Sequence, residues 1–456
     1  MKYSVARSSI ALCLMASLVI LAGCGGGGTT PPLPAANTSL AMTSPIKHVI
    51  IVVQENRSLN TLFMNYPGAI TSTTGQTITG DTVPLTQVNL EAGIDIGHSH
   101  LTYVSEYQNG RMDGFNTISF FNPSGGGPPR ASGLYPYAYV NPAEVQPYWN
   151  MAQQYTLADE MFPTESSGSF TAHQDLIAGG DSLDANDTLV DFPSAIPWGC
   201  DAPKGTFTNL LHPDGTITFD GPFPCFSYRT IANSLDAAGV SWKYYAPQVN
   251  PNPALANIGG EIWSAFDAIS AVRYGPDWAK NISSPETNVL SDIQNGNLAA
   301  VNWVIPSLAD SDHSGSASNT GPSWVTSIVN TVGQSKYWDS TAIIVVWDDW
   351  GGWYDPVAPP QLDYVGLGFR VPMLVISPYA KHGYVDHHIY EFGSILKYVE
   401  DNFGLASIGT TDQRSTSIIN AFDYTQVPKP FSIIHAQYSA RQILSIPPSY
   451  QPPDEE

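Results

Sequence analysis

The stretch from Thr341 to Pro360, TAIIVVWDDWGGWYDPVAPP, constrains this chain more than any other. Ala342 to Val346 is an unbroken apolar run rich in β-branched side chains. Such a run reads as a strand buried on both faces, the kind found in a parallel sheet covered by helices. Asp348 and Asp349 follow at its C-terminal end, then Gly351 and Gly352. Open α/β sheets bind ligands at the carboxyl ends of their strands. Two adjacent carboxylates repel each other unless a cation lies between them or water solvates them. The turn therefore reads either as half of a metal site or as a solvated acidic loop.

Other strand ends carry related residues. His48 to Val53 is a second buried strand, ending in Gln54-Glu55-Asn56-Arg57-Ser58. A carboxylate and an amide there suit a hard cation. The same residues also suit a helix start capped by Asn56 or Ser58. Ala299 to Ile305 reads as a third strand, followed by His313 in a polar loop; Val371 to Ile376 reads as a fourth. Residues 145–162 have helical spacing with an extended end, and SSGSFTAH follows from Ser166 to His173. Ser169 stands where a helix begins. It is either a cap or a nucleophile whose attacked anion gains from the helix N-terminus. His98 and His100 form a His-x-His string that is weak evidence by itself. Helices are expected at Ile231–Ala238, Thr287–Gly296, Trp324–Val332 and Glu391–Phe403, the last closed by Gly404.

The N-terminus looks exported. Lys2 and Arg7 precede an apolar run, Ile10 to Leu21, too short to span a bilayer. Leu21-Ala22-Gly23-Cys24 resembles a bacterial lipobox, with Cys24 as the lipidated first residue after cleavage. Residues 1–23 then form the leader, 24–44 a Gly/Pro/Thr-rich tether, 45–425 the folded domain and 426–456 a Pro-rich tail outside the core. Within the domain, residues about 180–300 read as a loop-rich insertion or cap. The expected location is extracytoplasmic, in the periplasm or at the cell surface, held to a membrane by the lipid. Cys200 and Cys225 are then an even pair in an oxidising compartment, expected to form a disulfide worth about 3 kcal/mol. The formal net charge of −22 repels nucleic acid and anionic lipid. An anionic substrate would need a local positive centre.

Taken together, KHVIIVVQENRS, the His98-Ser99 pair before Gly110-Arg111-Met112-Asp113-Gly114-Phe115, SGSFTAH with LIAG, WDDWGG and RVPMLVISPYAKHGYV are similar to the bacterial phosphoesterase family. That family contains phospholipases C and acid phosphatases related to alkaline phosphatase. The likeness covers most of residues 45–425 with its motifs in order. It implies an α/β fold, a three-layer α/β/α sandwich of alkaline phosphatase type. It implies a divalent metal ion (Ca2+, Mg2+ or Mn2+) held by Glu55, Asn56, Asp348, Asp349 and Ser169. Ser169 would be the nucleophile, and His98 and His313 would contact the phosphoryl group or move protons. The implied substrate is a phosphomonoester or a phospholipid-type phosphodiester, cleaved through a phosphoseryl intermediate. Alternatives are a sulfatase or nucleotide phosphodiesterase of the same fold, or a non-catalytic ligand-binding lipoprotein. Trp350, Trp353 and Tyr354 read either as a cradle for a choline-like cation or as core. The chain departs from the family at Asn60, Ala172 and Pro356, where Asp, Asn and His are common.

Overall fold

Runs of β-branched residues with no polar face can only be satisfied by burial on both sides. The chain does this in one nine-stranded sheet. The computed structural model describes residues 44–91, 94–121, 130–131, 133–247, 263–316 and 318–446. The leader, the tether and Cys24 lie outside the described residues. The strands are β1 (His48–Gln54), β2 (Thr156–Phe162), β3 (Trp242–Tyr245), β4 (Ile282–Ser283), β5 (Val301–Val304), β6 (Thr341–Trp347), β7 (Val371–Ile376), β8 (Tyr384–Asp386) and β9 (Tyr390–Glu391). Their order is β4-β3-β5-β1-β6-β7-β2-β8, with β9 also pairing β2.

At the centre, β1 pairs in parallel with β5 (Val49 opposite Val301) and with β6 (Val49 opposite Ala342, Val53 opposite Val346). Every residue of β6 is buried. Full burial of each Val or Ile contributes about 1.5–3 kcal/mol, so this strand anchors the core. The sheet is not wholly parallel as the apolar pattern suggested. β7 runs antiparallel to both β6 and β2. A run buried on both faces has the same pattern in either direction, so the pattern does not encode orientation.

Helices α1 (Leu59–Phe63) and α2 (His100–Tyr107) follow strand ends and rim loops. α3 (Gln146–Gln154) precedes β2, and α4 (Ser169–Ala178) follows it. α5 (Ile231–Ala238), α6 (Asn288–Asn295), α7 (Gly321–Gly333), α8 (Phe392–Phe403) and α9 (Ala440–Ile443) complete the layers. α3, α6 and α9 each pack on α7, whereas α5 and α8 pack on α4. Two helix groups around a doubly buried sheet make the three-layer α/β/α sandwich. No helix among the described residues is long and apolar enough to cross a membrane.

Two regions sit closer to the core than expected. Residues 180–300 were read as lying beside the sheet, yet β3 and β4 within them form one of its edges. Their loop-rich part holds a small antiparallel sheet over 188–218 and the Cys200–Cys225 disulfide. The tail was read as outside the core, yet Ile434 and Ile443 are buried. The Asn330 amide donates to the Ile434 carbonyl (2.8 Å) and accepts from the Ile434 N–H (2.9 Å). Prolines set the backbone of this segment without preventing its few apolar side chains from packing.

Candidate active site

Because β1, β2, β5 and β6 run the same way, their C-terminal ends share one rim. Glu55 and Asn56 follow β1, Asp348 and Asp349 follow β6, and the loops after β5 and β2 lead to His313 and Ser169. Backbone bonds lock the first two segments together: the Asp348 N–H donates to Gln54 O (3.0 Å), and the Asn56 N–H to Asp348 Oδ1 (3.0 Å). Gln54 also ties in the loop after β5, donating to Asp310 O (3.2 Å) and accepting from the Asp312 N–H (3.0 Å). Gly351 explains the Gly pair in the motif. Its φ is +61°, and a Cβ there would meet Asn56 O at 2.3 Å.

Ser169 is the first residue of α4, not its cap; Gly168 occupies that place. Its buried Oγ–H points at Asp349 Oδ2 (3.2 Å) and lies 3.4 Å from the near end of the Asn56 amide. The first N–H groups of α4 have no partner within the helix, which favours negative charge beside Ser169.

The Asn56 amide reports on what the site requires. One end lies 2.8 Å from His98 Nε2 and 3.3 Å from His313 Nε2. The other lies 3.2 Å from both Asp348 Oδ1 and Glu55 Oε2. The His98 Nδ1–H donates to Ile96 O (2.8 Å), and the His313 Nδ1–H to Ser314 O (2.5 Å). In the neutral imidazoles Nε2 is therefore an acceptor in both rings. That turns the NH2 of Asn56 toward the histidines and its oxygen toward two carboxylates. Oxygen facing oxygen in a buried site is repulsive unless a cation lies between them. Turning the amide over would satisfy the carboxylates but would require both imidazoles to be charged. The buried Asp348 Oδ2 makes no hydrogen bond either. Glu55, Asn56, Asp348, Asp349 and Ser169 thus fit a hard divalent cation.

The sequence reading missed His173. It lies one helical turn after Ser169, so both side chains leave the same face of α4. Its Nε2 is 3.1 Å from Glu55 Oε1 and 3.7 Å from Asp348 Oδ2. Single donor atoms of Glu55, His173 and Asp348 lie within 4.8 Å of one another. The i, i+4 spacing from Ser169 was the available signal. Asp312, also unremarked, anchors the His313 loop by accepting from Tyr148 Oη (2.8 Å) and Trp347 Nε1 (3.1 Å). Burial pushes its carboxyl up to about 6, against the pull of those donors.

Other candidates are placed elsewhere. His100 accompanies His98 in sequence but donates to Ser166 O (2.8 Å), fixing the loop that approaches Ser169. Trp350, Trp353 and Tyr354 are buried, so they are core and not an open cradle. Trp350 donates to Glu106 (2.7 Å), and the Arg57 guanidinium lies 4.8 Å over Trp353. Ser58 caps α1, which absorbs one of the alternatives for that segment. Asn60 bonds with Ser72 (2.7 and 3.1 Å), so that departure faces a loop.

The chain is 24% identical to phospholipase C B of Mycobacterium tuberculosis over 458 residues, covering 84% of this chain and 79% of that one. It is 25% identical to phospholipase C A of the same organism, covering 84% and 78%. A non-hemolytic phospholipase C of Burkholderia pseudomallei is 28% identical over 225 residues, 39% of this chain and 32% of that one. A solved alkaline phosphatase superfamily protein from Vibrio parahaemolyticus aligns with TM-score 0.37 and 12% identity over 83% of this chain and 73% of that one. Residues 46–406 match the Phosphoesterase family, and the chain therefore belongs to that family of phosphoric ester hydrolases.

Proposed function

We propose that this chain cleaves phosphate esters through a phosphoseryl intermediate at Ser169, with a divalent cation held by Glu55, Asn56, Asp348 and Asp349. Support comes chiefly from one observation: Ser169 Oγ, two carboxylates and two imidazoles all converge on the Asn56 amide. In the proposed reaction Ser169 Oγ attacks phosphorus and the bond to the leaving oxygen breaks. Asp349 orients the Oγ–H. His98 and His313, whose Nε2 atoms face the Asn56 amide that Ser169 Oγ also approaches, take the Oγ proton and pass it to the leaving oxygen. Water then attacks the phosphoserine and releases phosphate or a phosphomonoester. A bound cation would lower the hydroxyl pKa and offset charge on the phosphoryl oxygens.

The substrate we favour is a phospholipid-type phosphodiester, because the relatives sharing most of this chain's length are named phospholipase C. Phosphomonoesters are the second class to test. The assay compares p-nitrophenyl phosphorylcholine with p-nitrophenyl phosphate after chelation, restoring Ca2+, Mg2+ and Mn2+ singly. Full activity in Ser169→Ala, or turnover indifferent to chelation, would overturn the reading. We further propose that Cys24 carries a lipid that tethers the enzyme outside the cytoplasm, on the strength of Leu21-Ala22-Gly23-Cys24 alone. Mass spectrometry of the purified N-terminus decides that, since an unacylated Cys24 would refute it.

A further inference from the structure

A second group of acids surrounds α4 on its other side. Glu165 precedes the helix, Asp175 lies within it and Asp181 follows the Gly179-Gly180 turn. All three are buried. One carboxylate oxygen from each lies within 4.8 Å of the others. No donor reaches either oxygen of Asp175, and the Asp181 oxygens and Glu165 Oε2 meet none unless a carboxyl is protonated. Asp175 is two residues beyond His173, roughly 200° around the helix, so this cluster is separate from the rim site.

Among the described residues, no Lys, Arg or His forms an ion pair with Glu165, Asp175 or Asp181. Arg414 is the positive charge facing it. Its guanidinium is engaged elsewhere, by Glu391 (2.9 and 2.9 Å) and Asp363 (2.5 Å). Those two acids also face Asp175. Tyr228 faces the cluster too, but its hydroxyl donates to Gln174 Oε1 (2.5 Å). Glu165 and Asp181 lie within bonding reach of each other, a contact that two carboxyls make only by sharing a proton. Glu165, Asp175, Asp181 and Glu391 are buried, while Asp363 and Arg414 are exposed at their edge, so the buried carboxylates carry a large desolvation cost unless a further positive charge is present.

We propose that Glu165, Asp175 and Asp181 form a second cation site, which takes Ca2+ and clamps the approach and exit of the helix that carries Ser169. The donors are all carboxylate oxygens, the set preferred by hard cations. Three carboxylates offer up to six oxygens, which suits the six to eight ligands and loose geometry of Ca2+ better than the strict octahedron of Mg2+. A cavity of about 360 Å³ is lined by Gly180 and Ser182, the chain neighbours of Asp181, with Tyr228 and Arg414.

The test counts bound Ca2+ in the full chain by equilibrium dialysis, in an Asp348→Asn background that removes the rim site. One ion per chain is expected, and none in Asp348→Asn/Asp181→Asn. Ca2+ is expected to raise Tm by several degrees in the single variant and not in the double. Glu55→Gln serves as a second background should Asp348→Asn not fold. No retained Ca2+ in either background, or retention that survives Asp181→Asn, overturns the proposal. So does a Tm that ignores Ca2+ while Asp181→Asn stabilises the calcium-free chain, the signature of carboxyls held by shared protons.

Discussion

Asp348 and Asp355 stand seven residues apart, and both are completely buried. They solve the burial problem in opposite ways. Asp355 carries its own counter-ion: Arg370 grips both carboxylate oxygens (2.8 and 3.1 Å) and spends its other donors on Asp159 O and Ile70 O (2.9 Å each). Asp348 has a backbone N–H on one oxygen and no hydrogen bond on the other, with Glu55 and the Asn56 oxygen beside it. A carboxylate that serves the fold is neutralised by the chain. The rim carboxylates have no arginine; His173 Nε2 stands 3.1 Å from Glu55 and 3.7 Å from Asp348, and the proposed cation would supply the remaining positive charge. In a protein with 40 Asp and Glu against 18 Lys and Arg, the buried Arg370 marks the Asp355 pair as structural.

The largest effect expected from that contrast is catalytic. Ser169→Ala and Asp348→Asn should each lower kcat/KM by at least about 10²-fold. Their Tm should stay near that of the wild type measured without metal. Next comes the structural pair. Arg370→Met leaves Asp355 buried and uncompensated, so unfolding titrations should show a loss of about 3–5 kcal/mol. Restored divalent metal should not recover it. Equal metal rescue of Arg370→Met and of the chelated wild type would erase the distinction between the two carboxylates.

His173→Gln sharpens the comparison from the other side. His173 touches both rim carboxylates, so its loss should weaken metal affinity by about 10–100-fold, measured by titrating activity back after chelation. A fourth, smaller effect concerns carboxyls that have neither arginine nor metal. Burial raises Glu286 to about 7, with Asp310 adding to it, and raises Asp310 to about 6. The folded state therefore holds protons that the unfolded chain gives up near pH 4. This contribution is fully present below about pH 4 and is lost as pH rises through 6 to 7. Tm should fall between pH 5 and 8. Glu286→Gln should flatten that slope and add about 1–3 kcal/mol at pH 8.

How much of this was legible follows from where the information resides. Glu55, Asn56, Asp348 and Asp349 stood out because they interrupt polar-free strands at their ends, where local pattern and site coincide. Ser169, His98 and His313 needed the ordered set of motifs, since each alone reads as a cap or a loop residue. His173 was overlooked although it follows Ser169 by one turn, because an apolar neighbour, Ala172, makes that stretch look like plain helix. The direction of β7 and the edge positions of β3 and β4 depend on pairing between distant segments, which periodicity does not carry. The acids at 165, 175 and 181 are likewise scattered in sequence and joined only by the helix between them.

The reversal of β7 has a further consequence. Because β6 leaves the sheet at the same margin where β7 enters it, residues 348–370 form an arch with both feet on that margin. One foot is the Asp pair, and the other is the arginine that clasps Asp355. Residues inserted into the span of the arch would lengthen the connection between the Asp pair and Arg370 and leave the strand register untouched.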